Sequence, residues 1–365
     1  MNRVYAAVNR YVQGAAATDS LADELGYLGL QGPVLILSGP TVKRLLSEKW
    51  KAVLGDRGIS HEVLTFGGEC TRKAIQSTVD AALALKAGVI MGAGGGKSLD
   101  TARAAAAQLR LPFVSNPTVA STDSPCSALS IIYSEDGVYE GFDSFGRNPD
   151  LVLVDTDVIL RSPERFFVAG MGDALSTMFE ADACRRAGRP NLRGGLSTIA
   201  AARLGESCYR VVMEDGREAL ASMRAGHPSP AFERVVEANT LLSGIGFESG
   251  GLAAAHGLYN AMTIAESTRP YLHGEKVAFS VLVLLVLEQA SEEIFEEVRS
   301  FCLDVGLPVR LSGIGLDVED VELLRAIAEH AMLPGGLIHN EPLDLTVNGV
   351  LKAMIEADRR GMGGR

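Results

Sequence analysis

Hydrophobic positions along this 365-residue chain have two textures. Over roughly the first 160 positions, short β-like runs alternate with stretches of helical spacing, the pattern of a parallel sheet covered by helices. Val34 to Ser38 reads as a buried strand, followed by a helical segment through Leu54. Glu62 to Phe66 predicts the next strand, and Thr71 to Lys86 a helix, with Ile75, Val79, Ala82 and Leu83 at helical spacing. Gly88 to Met91 predicts a central strand, leading to a helix from Lys97 to Leu109. Further strands are expected at Pro112 to Ser115, Leu129 to Tyr133 and Leu151 to Val154, with a turn over Ser134 to Gly137. After Asp155 the chain turns to alanine-rich and leucine-rich helical segments, and Ser162, Pro163 and Glu164 mark a helix start. The expected architecture is an α/β domain over 1–160 with a Rossmann-like parallel sheet, then an all-α domain over 161–365.

Length alone makes two domains the default. The 34 basic and 45 acidic side chains leave a net charge of −11, which argues against nucleic acid or an anionic membrane as a partner. Residues 1–20 lack the apolar core of a secretory signal, and the greasiest run, Val277 to Leu287, is too short to span a bilayer. A cytoplasmic location is expected. The five cysteines are dispersed and form no Cys-x-x-Cys pair, so free thiols are expected.

Candidate chemistry begins at Gly94, Gly95 and Gly96, which follow the predicted central strand and precede Lys97. Met91 stands where a Walker A loop needs its first glycine, and Lys97 where the dinucleotide fingerprint needs its third. What remains is a glycine turn at a helix start, either a tight connection or a backbone cradle for a pyrophosphate. A hydroxyl-rich stretch from Asn116 to Ser127 follows the next strand, in the position where open α/β sheets bind ligands, and Asp123 is its only charge. Downstream, Asp173, His256 and His273 form a carboxylate and two-imidazole set able to hold one divalent cation with a position left open. Taken singly, Asp173 reads equally as a helix cap and each histidine as a hydrogen-bonded core residue; the combination carries the metal reading.

Several long motifs in order extend the picture: Phe66-Gly-Gly-Glu-Cys70, Gly94-Gly-Gly-Lys-Ser-Leu-Asp-Thr-Ala102, Ala120-Ser-Thr-Asp-Ser-Pro-Cys-Ser-Ala-Leu-Ser130, Gly246-Phe-Glu-Ser-Gly-Gly-Leu-Ala-Ala-Ala-His256 and His273-Gly-Glu-Lys-Val-Ala-Phe279. With them the chain resembles, over essentially its whole length, the glycerol dehydrogenases, metal-dependent polyol dehydrogenases that share the dehydroquinate synthase-like fold. The resemblance implies Zn²⁺ on Asp173, His256 and His273, and dinucleotide contacts from Gly94, Gly95, Gly96, Lys97, Thr118, Ser121, Ser127, Leu129 and Tyr133. It assigns Asp123 and His256 to substrate and catalysis. It further implies oxidation of glycerol or a similar vicinal diol to dihydroxyacetone with hydride transfer to NAD(P)⁺, and a homo-oligomer, an octamer in relatives.

Zinc is favoured over Fe²⁺ because iron-dependent relatives carry a histidine four residues after the aspartate, where this chain has Thr177. The acid that commonly binds the adenosine ribose in this family is replaced by Gly39, with Lys43 and Arg44 nearby, so NADP is expected beside or instead of NAD. Glu275 reads as a helix-start acid and His339 as a loop residue, and neither is assigned as a general base. The rivals are a dehydroquinate synthase-type lyase, a related alcohol or hydroxy-acid dehydrogenase, and a metal-free nucleotide-binding regulator. The lyase would need a cluster of cations near the metal, where the neighbouring segments offer mainly Arg269 and Lys276.

Overall fold

The computed structural model describes residues 1–363, which divide into two compact units. One comprises Ala6–Pro163 and Gly226–Pro228, the other Met1–Tyr5, Glu164–Ala225 and, of the described residues, 229–363. The first five residues join the helical unit because their backbone pairs with the segment before the Ile199–Ala225 helix: Val4 N–H donates to Leu196 O at 3.1 Å and Leu196 N–H to Asn2 O at 2.9 Å.

The α/β unit holds strands β1 (Tyr11–Gly14), β2 (Val34–Ser38), β3 (His61–Thr65), β4 (Val89–Gly94), β5 (Phe113–Pro117), β6 (Leu129–Tyr133), β7 (Tyr139–Ser144) and β8 (Leu151–Asp155). Six of them form one parallel sheet in the order β1-β8-β5-β4-β2-β3, while β6 and β7 pair as an antiparallel hairpin. Every residue of β2, β4, β5 and β8 is buried, as expected for parallel strands covered on both faces. Successive side chains go to opposite faces. Ile36 and Met91 pack with Leu21, Leu25, Trp50 and Leu54 on one side. Leu35, Leu37 and Ile90 pack with Ile75, Val79 and Ala105 on the other.

Chain order fixes where a ligand can sit. The helix after β2 leads outward to β3, and the helix after β4 leads the opposite way to β5, so adjacent β2 and β4 form the topological switch point. The crevice beyond the carboxyl ends of such strands is the usual ligand site in an open α/β sheet. Gly39 follows β2 there, and the glycine turn follows β4.

The strands expected at 34–38, 62–66, 88–91, 112–115, 129–133 and 151–154 are all present within a few residues of their predicted ends. Two more were not expected. β1 is a four-residue, half-buried edge, and β7 alternates half-buried and exposed positions.

The helical unit is built on long helices at Glu164–Ala187 and Ile199–Ala225; Ala254–Met262, His273–Leu287 and Glu292–Val305 pack on them, and Val347–Gly361 packs on His273–Leu287. The run from Val277 to Leu285 is buried throughout, and no helix of the described residues is long and apolar enough to cross a membrane. All five cysteines are buried, and none is in a disulfide.

Leu153, fully buried at the centre of β8, is expected to cost about 2–5 kcal/mol as Leu153→Ala. Urea unfolding followed through Trp50, the chain's single tryptophan and buried in the same cluster, checks this; an unchanged midpoint would contradict the packing described.

Candidate functional site

Asp173 lies ten residues into the Glu164–Ala187 helix, too deep for the capping role its local sequence suggested. It is 1 % exposed. His273 is the first residue of the His273–Leu287 helix, and the two helices meet almost backbone to backbone. A Cβ on Gly274 would fall 1.7 Å from Ala169 O, and one on Gly172 would fall 2.4 Å from Gly274 O. That approach sets His273 Nε2 3.0 Å from Asp173 Oδ1.

His256 arrives from a third helix, Ala254–Met262, with Nε2 3.4 Å from the same Asp173 oxygen. One ligand atom from each of Asp173, His256 and His273 lies within 4.8 Å of the others, so a single ion can reach all three. Among the described residues, this is the sole group of that kind.

The ring of His256 is fixed from behind. Its Nδ1 sits 2.6 Å from Glu180 Oε2, and Glu180 Oε1 accepts the N–H groups of Ala253 at 2.8 Å and His256 at 2.9 Å. Glu180 thus caps the helix that carries His256 and turns Nε2 toward the centre, the arrangement that orients metal-ligating histidines. Glu180 was missed in the sequence. It stands seven residues after Asp173 on one helix, two turns along the same face, and that spacing was the available signal. Tyr259 closes the other side, its ring edge-on to His273 at 4.1 Å between centroids.

Electrostatics favour a positive charge at the centre. Burial opposes ionisation of Asp173, yet the His273 and His256 imidazoles hold its carboxyl below the usual carboxylate range. Burial also works to lower the His256 pKa, but Glu180 and Asp173 outweigh it and raise it well above its ordinary value. Of the cations nearby, Arg165 is paired with Glu275 and Arg269 with Glu266, while the buried Lys276 ammonium donates to the Thr268 carbonyl at 3.4 Å and lies 5.1 Å over the Tyr259 ring. Glu275 also accepts the Leu272 N–H at 2.7 Å, the helix-start role expected of it. His339 Nε2 lies 3.2 Å from Met332 O and from Leu333 O, at the end of the preceding Val321–Ala331 helix.

In the α/β unit, Gly94 has φ +146°, and a Cβ there would lie 2.4 Å from Ser98 Oγ, so this turn requires glycine. Gly95 precedes the Gly96–Leu109 helix with no side-chain cap. Register places Gly94 beside Pro117, so the glycine turn and the hydroxyl loop leave neighbouring strand ends; Thr118 N–H then donates to Gly94 O at 3.1 Å. A Cβ on Gly95 would meet Val119 at 3.4 Å, and one on Gly96 would meet Thr122 Oγ1 at 3.4 Å. Bare backbone therefore faces the loop, as a pyrophosphate cradle at a helix N-terminus needs.

The remaining expected contacts divide. Asp123, Ser127 and Leu129 are buried in the loop and the start of β6, and Ser121 and Tyr133 are half-buried. The Lys97 ammonium is instead paired with Glu69. Gly39 caps the Pro40–Gly55 helix without a side-chain bond, and Lys43 Nζ reaches Val63 O at 3.2 Å and Thr65 Oγ1 at 3.1 Å, across the end of β3.

Two outcomes follow from this geometry. Glu180→Gln is expected to weaken metal retention about 10–100-fold, read by metal analysis after dialysis against a chelator series; retention equal to wild type would contradict the orienting role. Glu341 is 3 % exposed and accepts the Ala254 N–H at 2.9 Å. Burial, with the Glu288 and Glu180 carboxylates adding to it, pushes its pKa from 4.5 up to about 8. The folded state therefore binds more protons than the unfolded chain between those values, and this contribution makes stability fall as pH rises through that window. Glu341→Gln is expected to flatten the dependence in urea midpoints; an unchanged slope would contradict it.

Residues 8–156 match the family of iron-containing alcohol dehydrogenases. A glycerol dehydrogenase of Thermotoga maritima is 45% identical, with 96% of each chain covered. A glycolaldehyde reductase of Halobacterium salinarum is 38% identical over 99% of this chain and 98% of its own. Among solved structures, a probable glycerol dehydrogenase from Sinorhizobium meliloti 1021 superposes with a TM-score of 0.94 at 37% identity, covering 100% of both chains. With full-length likeness at this level, and with one carboxylate and two imidazoles close enough to share an ion, this chain belongs to the glycerol dehydrogenase family of metal-dependent alcohol dehydrogenases.

Proposed function

We propose that this protein oxidises glycerol and similar vicinal diols at the secondary hydroxyl, giving dihydroxyacetone and passing hydride to NAD(P)⁺, with Zn²⁺ held by Asp173, His256 and His273. The observation that carries the reading is the convergence of one carboxylate and two imidazoles, all within 4.8 Å, on three helices of one unit. When bound, a divalent cation supplies Lewis-acid polarisation of a substrate hydroxyl, and a nicotinamide supplies the hydride acceptor.

The protein's part is binding and alignment. Asp173 contributes the charge, and Glu180 holds His256 in the tautomer that leaves Nε2 free to ligate. Thr177 supports zinc over iron. Its hydroxyl is engaged with Ser243 at 2.9 Å, and a Cβ on Gly246 would fall 2.6 Å from its methyl, so the position is packed and offers no fourth imidazole. In the α/β unit, Gly95 and Gly96 leave room for backbone N–H groups to approach a pyrophosphate, and Thr118, Ser121 and Ser127 offer hydroxyls along the same loop. Asp123 is assigned to a polyol hydroxyl. Arg165 and Arg269 are ion-paired, and Lys276 by itself is not the cation cluster a phosphorylated acid needs, which favours an uncharged substrate over the lyase reading.

Gly39 supports acceptance of NADP(H) beside or instead of NAD(H), because no carboxylate follows β2 to repel a 2′-phosphate and Lys43 is anchored at the adjacent strand end. On this reading Gly39→Asp lowers kcat/KM for NADP⁺ by about tenfold or more relative to NAD⁺. A wild type that strongly prefers NAD⁺ would contradict it.

The function is tested by a spectrophotometric screen of glycerol, 1,2-propanediol and other diols with both cofactors, and of glycolaldehyde in the reducing direction. Diol-dependent reduction that is lost with chelator, restored by zinc and absent in Asp173→Asn is the expected result. Turnover indifferent to chelator, or none with any diol, would overturn the reading.

A further inference from the structure

The Gly96–Leu109 helix starts at the glycine turn and, one turn further in, buries an ion pair for which the chemistry above has no use. Asp100 and Arg103 are 5 % and 3 % exposed, and Arg103 Nη1 donates to Asp100 Oδ1 at 2.5 Å. Both side chains also bond to the segment from Ser124 to Ile131. Arg103 Nη1 donates to the Leu129 carbonyl, and Nη2 to the Ser124 carbonyl at 2.6 Å. Asp100 Oδ1 accepts the Ser124 hydroxyl at 2.7 Å, and Oδ2 accepts the Ile131 N–H at 3.0 Å. The Asp100 main-chain carbonyl accepts the Ser130 hydroxyl at 2.8 Å.

Stability is a poor reason for such a pair, since well-packed apolar residues often serve as well as a buried salt bridge. Geometry is a better one. A guanidinium is a planar fork, and a buried carboxylate needs its acceptor sites filled, so few loop conformations satisfy both groups at once. The fixed points fall on either side of Ser127 and directly after Asp123. They are referred to the helix whose first turn carries Gly96 and Lys97, where a Cβ on Gly96 would lie 3.7 Å from Ser124 Cβ.

We propose that the Asp100–Arg103 pair positions the dinucleotide: it locks the hydroxyl loop against the glycine turn and so sets cofactor affinity without touching the cofactor. The inference rests on the reading of these two loops as the dinucleotide site. A loop released from the clamp has to be ordered when the dinucleotide binds, and that ordering subtracts from affinity.

The test is titration of NADH and NADPH, with steady-state kinetics and metal content, for wild type, Asp100→Asn, Arg103→Lys, Ser124→Ala and Ser124→Thr. Asp100→Asn and Arg103→Lys are expected to raise the dinucleotide Kd and KM about tenfold or more, with metal content unchanged. Ser124→Ala removes one arm and keeps the ion pair, so it gives a smaller rise of the same sign and carries the test if the charge variants do not fold. Ser124→Thr keeps the hydroxyl and restores wild-type binding. Variants that lose kcat or thermal stability while Kd and KM stay at wild-type values would overturn the clamp alone. A wild type that binds neither dinucleotide would overturn the functional reading and the clamp with it.

Discussion

Two carboxylates, Asp173 and Glu180, stand on one face of a single helix with 1 % and 0 % exposure, and the helical unit is organised around compensating them. Buried charges on this scale are tolerated only when paired and hydrogen-bonded. Glu180 is satisfied by the start of the Ala254–Met262 helix and by His256 Nδ1. Asp173 faces two imidazole Nε2 atoms, 3.0 and 3.4 Å away. The close approach at Gly172 and Gly274 is what allows this, since a single methyl on either glycine would force the helices apart and carry His273 away from Asp173. A cation shared by the three residues, as proposed above, would complete the compensation, so the same residues that hold the helices together are placed to ligate one ion.

The α/β unit uses backbone where the helical unit uses side chains. Strand order puts β2 and β4 at the switch point, and register brings the end of β4 beside the end of β5. Bare glycine Cα atoms then face a loop of hydroxyls. That loop is in turn held from behind by Asp100 and Arg103, so a buried ion pair in one unit and a buried carboxylate in the other play parallel parts. Each fixes a group that has to meet a ligand.

Much of this was legible in the sequence, and the failures have physical causes. Buried parallel strands such as β2 and β8 announce themselves as unbroken apolar runs. The edge strand β1 is too short and too polar to do so, and β7 is a two-stranded ribbon whose pairing depends on its partner. The candidate metal ligands could be picked out as residue types, but their convergence could not, because 83 and 17 positions separate Asp173, His256 and His273 along the chain. Asp173 looked like a cap because Gly170 and Gly172 precede it; Gly172 instead serves helix packing, as its close approach to Gly274 shows. Glu180, Asp100 and Arg103 act through other residues, and a lone charge on a helix reads as solvated surface until tertiary structure shows what surrounds it.

Whether Asp173, His256 and His273 share one ion is decided by X-ray absorption at the zinc edge of the purified, zinc-loaded protein. Two imidazole nitrogens at about 2.0–2.1 Å and oxygen ligands at about 2.0–2.2 Å are expected, with one imidazole lost in His273→Ala. A zinc spectrum without histidine ligation, or one unchanged by that substitution, would contradict a shared ion.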